Sequence, residues 1–176
     1  MGEEANDKPF DKGTMLLILY FIERLNGVLG KTHLQKMLFL GDLLSVKKFK
    51  VPLTSIDYKR YHFGPFSAEV GEYVKELERK NLVEERQFSF ISDDSKSYTR
   101  YYATTLSSAR SQLLEHFGAE KALLVEEVIN SYGNMSLQEV LDVVYGLEIM
   151  KGAEMDKPLD LAQKIKTDEM EPDILG

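Results

Sequence analysis

The feature that most constrains the fold is the pair Gly64-Pro65, which separates two segments of different periodicity. Residues 56–63 alternate side chains between two faces, which predicts a short β-strand that the Gly-Pro pair ends. Ser67 follows at a position where its hydroxyl can accept a hydrogen bond from an unpaired amide at a helix start. Residues 68–80 then carry an apolar stripe at helical spacing, so the junction fixes the direction in which this helix leaves.

Two helical segments precede the junction. Residues 14–25 are apolar on nearly every side, which predicts a buried helix that Asn26-Gly27 ends. The second helix carries Thr32 three residues before Gln35, the spacing of a capping box. Its apolar positions recur at helical spacing, and they are Leu34, Met37, Leu38, Gly41 and Leu44.

A hairpin and three more helices are predicted after the junction helix. Residues 86–92 and 97–105 are rich in aromatic residues and threonine, and they flank the polar turn DDSK. Ser136 and Glu139 form a second capping-box pattern at the start of the last helix. The three helices are predicted over 106–117, 120–132 and 137–150, with a short helix around LDLAQKI after them.

This order of elements is that of a winged helix, in which a β-hairpin wing packs beside three helices. We therefore predict a mainly α fold with a small antiparallel β-sheet. The predicted regions are a disordered N-terminus over 1–13, a winged-helix-like core over 14–105, a helical extension of the same domain over 106–150 and a mobile acidic tail over 151–176.

The composition argues against an enzyme. The chain has no cysteine, which excludes disulfides, thiol catalysis and cysteine-ligated metal sites. It has three histidines and none of the common nucleotide-binding, zinc-protease or serine-hydrolase motifs. We expect His33 to be a solvent-exposed first-turn residue and His62 a satisfied strand residue. No catalytic residue, cofactor or metal is predicted.

The distribution of apolar residues points to a cytoplasmic protein. The most apolar run, Met15 to Ile22, stops at Glu23 and is too short to span a bilayer. The first thirteen residues are acidic and polar, without the basic and then hydrophobic pattern of a secretory signal.

Three segments resemble one known family. They are KTHLQKMLFLGDLL (31–44), YKRYHFGPFSAEV (58–70) and YVKELERKNLVEE (73–85). Together they resemble the Panacea domain family of antitoxin-associated proteins, and they are similar to the YwgA-like prokaryotic proteins. The later INSYGNMSLQEVLDVVYGLE (129–148) is placed like another family segment, with Val144-Tyr145 where the family pattern has Thr-His. The resemblance implies a non-enzymatic role in binding and neutralising a toxin-like partner protein.

The aromatic strands supply candidates for protein binding. The strands YKRYHF and YTRYYA are rich in tyrosine and arginine, the residue types that dominate interface energies, and both would contribute if they share one small sheet. The candidates are Tyr58, Arg60, Tyr61, His62, Phe66, Arg100 and Tyr102. The acidic C-terminal helices would separately suit a basic partner or self-association.

A DNA-binding transcriptional regulator is the alternative. The net charge is −7, but residues 31–62 hold seven bases against two acids. The candidate phosphate contacts are Lys47, Lys48, Lys50, Lys59, Lys96 and Arg100. The predicted helix over 68–80, which would enter the major groove, carries one net negative charge, and this favours a protein partner.

Overall fold

The structure is a computed structural model that describes residues 9–90, 92–104 and 109–161. Within these residues the chain is mainly α-helical, with two small antiparallel sheets. The helices are α1 (Lys12–Arg24), α2 (Lys31–Phe49), α3 (Ala68–Arg79), α4 (Ala109–Phe117), α5 (Ala119–Tyr132) and α6 (Leu137–Tyr145), and the strands are β1 (Lys59–Tyr61), β2 (Gly64–Phe66), β3 (Val83–Phe90) and β4 (Asp93–Ala103). The predicted fold class is confirmed, and the more specific winged-helix arrangement stays a prediction.

Helix α1 begins two residues earlier than the sequence predicts. Asp11 is its N-cap, and the Asp11 carboxylate accepts from the Thr14 N–H at 2.9 Å. Phe10 packs edge to face against Tyr73, with 5.0 Å between ring centroids. Residues 9–13 therefore belong to the folded part of the chain, and residues 1–8 of the predicted disordered segment lie outside the described residues.

Helix α2 starts at Lys31 without the predicted capping box. Its N-cap is Gly30, no side chain caps it, and Thr32 lies inside the first turn. Gln35 is buried and hydrogen-bonds to Ser67 instead. A tertiary partner has taken the amide that the local pattern assigned to the helix start.

The Gly-Pro pair belongs to a strand. The prediction of one strand over 56–63 ended by Gly64-Pro65 is wrong, because β1 pairs antiparallel with β2, which contains both residues. Tyr61 lies opposite Gly64 and Lys59 lies opposite Phe66 in this pairing. Ser67 then caps α3 as predicted, accepting from the Glu69 N–H.

The long hairpin forms a separate sheet. Strands β3 and β4 pair with each other, while β1 and β2 make their own two-stranded sheet. The tyrosine- and arginine-rich strands therefore do not share one sheet. Strand β4 begins four residues before the predicted boundary, and its outer edge bonds to the α1–α2 loop through Tyr101 N–H to the Leu29 carbonyl at 3.0 Å.

The C-terminal helices and the first helices share a single hydrophobic core. Helix α4 packs on α1, and α5 and α6 pack on α2. The predicted last helix ends at Tyr145, and a short 3₁₀ turn covers Glu148–Met150. The beginning of the first predicted extension helix, residues 106–108, lies outside the described residues.

Part of the predicted mobile tail pairs with β1. The Leu159 N–H donates to the Tyr58 carbonyl at 2.9 Å, and the Arg60 N–H donates to the Lys157 carbonyl at 2.9 Å. A strand with an unpaired edge attracts such a segment, since its free N–H and C=O groups need partners. Residues 162–176, including most of the predicted LDLAQKI helix, lie outside the described residues. In the described part of the chain, no helix has the length and apolar character needed to cross a bilayer.

Candidate partner-binding surfaces

The Gly-Pro junction, residues 61–67, is held from below by two side chains of α2. The Gln35 amide makes two hydrogen bonds to Ser67, accepting from its N–H at 3.0 Å and donating to its carbonyl at 2.8 Å. Lys36 Nζ donates to the Pro65 carbonyl at 2.7 Å. All three bonds are buried, so adjacent positions of α2 fix where β2 ends and α3 begins.

Lys36 is an unusual buried cation. Its side chain is 2% exposed. Burial lowers the pKa of Lys36 to about 8, and the nearby Arg60 guanidinium lowers it as well. Because desolvation disfavours the charged ammonium, the hydrogen bond to Pro65 is made at an electrostatic cost. Its position beneath the junction makes Lys36 a structural support.

Gly64 is required by the junction geometry. Its φ is +91°, and a Cβ atom there would lie 3.4 Å from Val144 Cγ1 and 3.5 Å from Lys36 Cε. Side chains with a Cβ rarely adopt this backbone conformation. The sequence-based role of Gly64 as a turn residue therefore agrees with its backbone conformation.

Tyr58 cannot act as a surface residue. It is 3% exposed, and its hydroxyl donates to Asp42 Oδ2 at 2.8 Å. Asp42 also accepts from the N–H groups of Leu53 and Thr54, each at 2.8 Å, and burial raises the pKa of Asp42 to about 6 while these donors lower it. Tyr58 thus belongs to a buried network that anchors the loop after α2, which corrects its place among the interaction candidates.

The other junction candidates lie at the surface but contact one another. The rings of Tyr61 and Phe66 are 5.3 Å apart, and those of Tyr61 and His62 are 4.4 Å apart. Arg60 donates to the Tyr61 carbonyl and lies 5.3 Å from the centroid of the Tyr145 ring. The structure brings Arg60, Tyr61, His62 and Phe66 together, and much of their contact capacity is used inside the chain.

The hairpin carries a more exposed aromatic group. Phe88 and Tyr98 stack at 5.4 Å, and Phe90 lies 5.2 Å from Tyr98. These three side chains, which we call the aromatic strip, are 37%, 36% and 45% exposed for Phe88, Tyr98 and Phe90. Neither phenylalanine was among the sequence candidates. The i, i+2 spacing of the phenylalanines in RQFSF was the available signal, because alternate strand residues share a face.

Arginines flank the aromatic strip. Arg100 lies 4.8 Å from the centroid of the Tyr98 ring, and Arg86 lies 4.0 Å from that of Tyr102. Arg86 and Arg100 are directly opposite each other in the ladder. Tyr102 also packs on the α1–α2 loop, where a Cβ at Gly27 would meet its ring at 2.6 Å. Of the two hairpin candidates, Arg100 therefore lies beside the strip and Tyr102 lies at its base.

A family model, described as antitoxin SocA-like, Panacea domain, matches residues 34–148, about two thirds of the chain. The chain belongs to this family. The matched range begins one residue before Gln35 and includes the junction, the aromatic strip and α6. No curated protein and no solved structure matched the chain.

In this Panacea domain, Val144-Tyr145 lies against the junction. Val144 packs beside Gly64, and the Tyr145 hydroxyl donates to the His62 carbonyl at 3.1 Å. The pair that stands in place of the Thr-His pattern therefore supports the same Gly-Pro segment that α2 holds from the other side.

The basic residues of the Panacea domain are divided between distant places. Lys47, Lys48 and Lys50 lie at the C-terminal end of α2, and the Arg100 guanidinium lies at its N-terminal end. Nineteen helical residues separate the two ends by about 28 Å. Lys59 pairs with Asp156 at 3.3 Å, and Lys96 is exposed on the hairpin. These cations do not form one continuous patch among the described residues.

The histidines do not form a metal centre in the described part of the chain, where no group of three or more metal-ligating side chains comes together. His62 is exposed. The expectation that His33 faces solvent is wrong. The residue is 6% exposed, and its ring hydrogen-bonds to the backbone of Tyr132 at the end of α5. The prediction rested on its position in the first turn of α2, and the end of α5 covers that turn.

Proposed function

We propose that this protein is a non-catalytic module that binds a toxin-like partner protein through the β3–β4 hairpin. Membership of the antitoxin-like Panacea family supports a protein partner. The observation that carries the choice of surface is the aromatic strip, in which Phe88, Phe90 and Tyr98 contact one another at exposed positions of the hairpin. The proposal assigns no catalytic residue.

The aromatic strip has the chemistry of an interface centre. Large aromatic side chains and arginines contribute most of the binding energy in protein complexes, and they cluster where water is excluded. Complete burial of a fully exposed phenylalanine side chain is worth about 1.5–3 kcal/mol, and Phe88 and Phe90, which are 37% and 45% exposed, would each gain the corresponding part. With two phenylalanines, one tyrosine and the adjacent Arg100, the strip supplies both apolar area and directional hydrogen bonding.

The junction is the weaker candidate for this role. The Arg60 guanidinium and the Tyr61 ring already contact Tyr145 and Phe66. The outer edge of β1 is covered by residues 157–159. Arg60, Tyr61 and Phe66 are half-buried, whereas the three side chains of the strip are exposed.

DNA binding is the second candidate function, and the hairpin is the observation that favours it. Lys96 and Arg100 flank Tyr98, and such a group can contact a phosphate backbone. This function predicts retention on heparin that falls steeply with salt and decreases in a Lys96→Gln, Arg100→Gln variant. Absence of binding to any duplex at low salt would eliminate it.

Capture of a partner from native cytosol tests the leading proposal. The full chain, treated with nuclease, is compared with a Phe88→Ser, Phe90→Ser variant, which leaves the groove-lining Tyr98 unchanged, and with a control variant, Leu114→Ser, Leu123→Ser, that changes exposed leucines on α4 and α5. We expect a stoichiometric protein with the wild type and the control, and a loss of at least about tenfold with the hairpin variant. Retention by the hairpin variant, or equal loss in both variants, would contradict the proposal. Recovery of a second copy of this chain alone would indicate self-association.

A further inference from the structure

A groove runs beside the outer edge of β4. It has a volume of about 570 Å³ and lies between the hairpin, the start of α2 and the α5–α6 turn. This size is within the range of ligand-binding clefts. Three chemically distinct walls meet there: a strand edge, a helix N-terminus and an apolar rim.

The first wall is the outer edge of β4, which the α1–α2 loop pairs only in part. Tyr101 directs both its N–H and its carbonyl away from β3, since they bond to Leu29 and Gly27 of the α1–α2 loop. In an antiparallel ladder, residues two apart direct these groups to the same side. The register of β4 is regular here, so Thr99 and Ser97 direct their backbone groups to the groove, where the Thr99 carbonyl already accepts from Arg100. Extended peptides bind to edges of this kind by adding a strand.

The second wall is the N-terminal end of α2. No side chain caps it, and its first turn contains no acidic residue. The N–H groups of Lys31, Thr32 and His33 are left without an intrahelical partner, and the helix dipole adds partial positive charge at this end. Oxyanions bind readily to such a terminus.

Arg100 adds a full positive charge at this end of α2. A Cβ built on Gly30, the N-cap, would lie 2.9 Å from Arg100 Nη1 and 2.8 Å from the Thr99 carbonyl oxygen. Only glycine leaves room for this approach. Nη1 donates to the Thr99 carbonyl at 2.9 Å, and a guanidinium carries five N–H donors, so the same group retains donors for a ligand.

Within the described part of the chain, His33 leaves a buried nitrogen atom without a partner beside the groove. It lines the groove and is 6% exposed, yet its Nε2 has no hydrogen-bond partner among the described residues. The other side of the ring hydrogen-bonds to the Tyr132 backbone. Buried polar atoms in folded proteins are nearly always paired, and an orphan costs about 1–3 kcal/mol. Because the neutral ring presents Nε2 as an acceptor, a carboxylate bound nearby would pair with it only in the protonated ring, where Nε2 carries a donor hydrogen.

The charges favour a carboxylate over a phosphate. Lys31 already pairs with Glu85 at 3.3 Å, which leaves one guanidinium and one helix terminus for the ligand. That matches the single negative charge of a carboxylate, whereas a phosphoryl group carries about −1.5 to −2 at pH 7. The rim contributes Val28, Met135 and Leu137, which suit the apolar side chains of an extended peptide.

We infer that this groove binds an extended peptide segment along the β4 edge, with a carboxylate of that segment held by Arg100 and the first-turn amides of α2. The inference rests on the proposed function and deepens it, because it specifies the chemistry of the partner segment. The aromatic strip would contact the folded part of the partner, and the groove would hold its C-terminal carboxylate.

Nuclear magnetic resonance titration of the full chain tests the inference. The ligands are N-acetyl-threonyl-valine as the free acid, the same compound as the C-terminal amide, and inorganic phosphate. We expect the free acid to shift the amide resonances of Lys31, Thr32, His33 and Thr99, and the C-terminal amide to bind at least about tenfold more weakly. Arg100→Gln should weaken the free acid to a similar degree. Arg86→Gln is the matched control, since Arg86 lies opposite Arg100 but does not line the groove.

Each other outcome overturns the inference in a recognisable way. Equal shifts with the acid and the amide would show that no carboxylate is recognised. If phosphate bound more tightly than the free acid at the same amides, the groove would be a site for a phosphorylated ligand and the carboxylate inference would be wrong. Absence of shifts would remove the groove as a site while leaving the proposed function intact, because that function is judged by the aromatic-strip variants. Conversely, partner capture that is unaffected by the aromatic-strip variant would contradict the proposed surface, and the result of this titration would still stand.

Discussion

The Gln35 side chain hydrogen-bonds to both backbone groups of Ser67, which is 32 residues away along the chain. Ser67 in turn caps α3 through its hydroxyl. One amide on α2 therefore fixes the first residue of α3, and the neighbouring Lys36 fixes the proline two positions earlier. The junction is determined by two consecutive residues of a buried helix.

Replacing Gln35 with Leu should destabilise the protein by about 2–4 kcal/mol, because it leaves a buried N–H and a buried carbonyl without partners. Urea unfolding measures this change. Gln138→Leu is the control, since Gln138 makes a single exposed hydrogen bond to Asp142 on α6, and it should change stability by less than about 0.5 kcal/mol. Similar losses for both variants would contradict the role of Gln35.

Two glycines on either side of Ser67 should respond to alanine in opposite directions. Gly64→Ala forces a positive φ on a residue with a Cβ, and we expect a loss of about 1–3 kcal/mol. Gly71→Ala adds a Cβ inside α3 where no atom lies within 4 Å, and we expect a gain of up to about 1 kcal/mol. Thermal unfolding of both variants measures these changes in stability. A Gly64→Ala variant as stable as the wild type would contradict this account.

Lys36 should make stability depend on pH in the alkaline range. Its folded pKa, about 8, is below the unfolded value of 10.5, so between these values the unfolded chain binds more protons and stability rises with pH. Between pH 7 and 9.5 the wild type should gain about 2 kcal/mol relative to a Lys36→Met variant, since other titrating groups cancel in the difference. Denaturant unfolding at both pH values measures the gain, and a constant difference would contradict the burial of a charged lysine.

Removing the hydroxyl group should have different effects on stability at the buried Tyr58 and at the half-buried Tyr61. Tyr58→Phe removes a buried hydroxyl that donates to Asp42, and we expect a loss of about 1–3 kcal/mol. Tyr61→Phe is the matched change on the junction surface, and it should alter stability by less than about 0.5 kcal/mol. Partner capture should be unchanged by Tyr58→Phe in protein that remains folded. A stable Tyr58→Phe variant that loses its partner would restore Tyr58 as an interface residue.

Local patterns predicted the elements that local interactions form. Ser67 caps α3, and Ser136 with Glu139 completes a capping box on α6, because both signals act within one helical turn. The T-x-x-Q pattern of Thr32 and Gln35 had the same form and was wrong. Its glutamine faces a backbone segment that is distant in sequence, and no local pattern reports that competition.

Long-range pairing also explains what the sequence could not reveal about the candidate surfaces. Residues 157–159 cover the edge of β1, and the two tyrosine-rich strands lie in different sheets. Both facts depend on contacts between distant segments. The sequence could have predicted the aromatic strip, since Phe88 and Phe90 are two residues apart on one strand face and the hairpin register places Phe88 opposite Tyr98.

Amide hydrogen exchange of the full chain, alone and with its captured partner, tests the central claim most directly. If the hairpin is the binding surface, peptides covering residues 84–90 and 96–102 should exchange at least about tenfold more slowly in the complex, because a bound partner suppresses local opening. Peptides from the outer face of α5, which carries the exposed Leu123, should be unchanged. Protection that falls on α5 or the junction and leaves the hairpin unaltered would contradict the account.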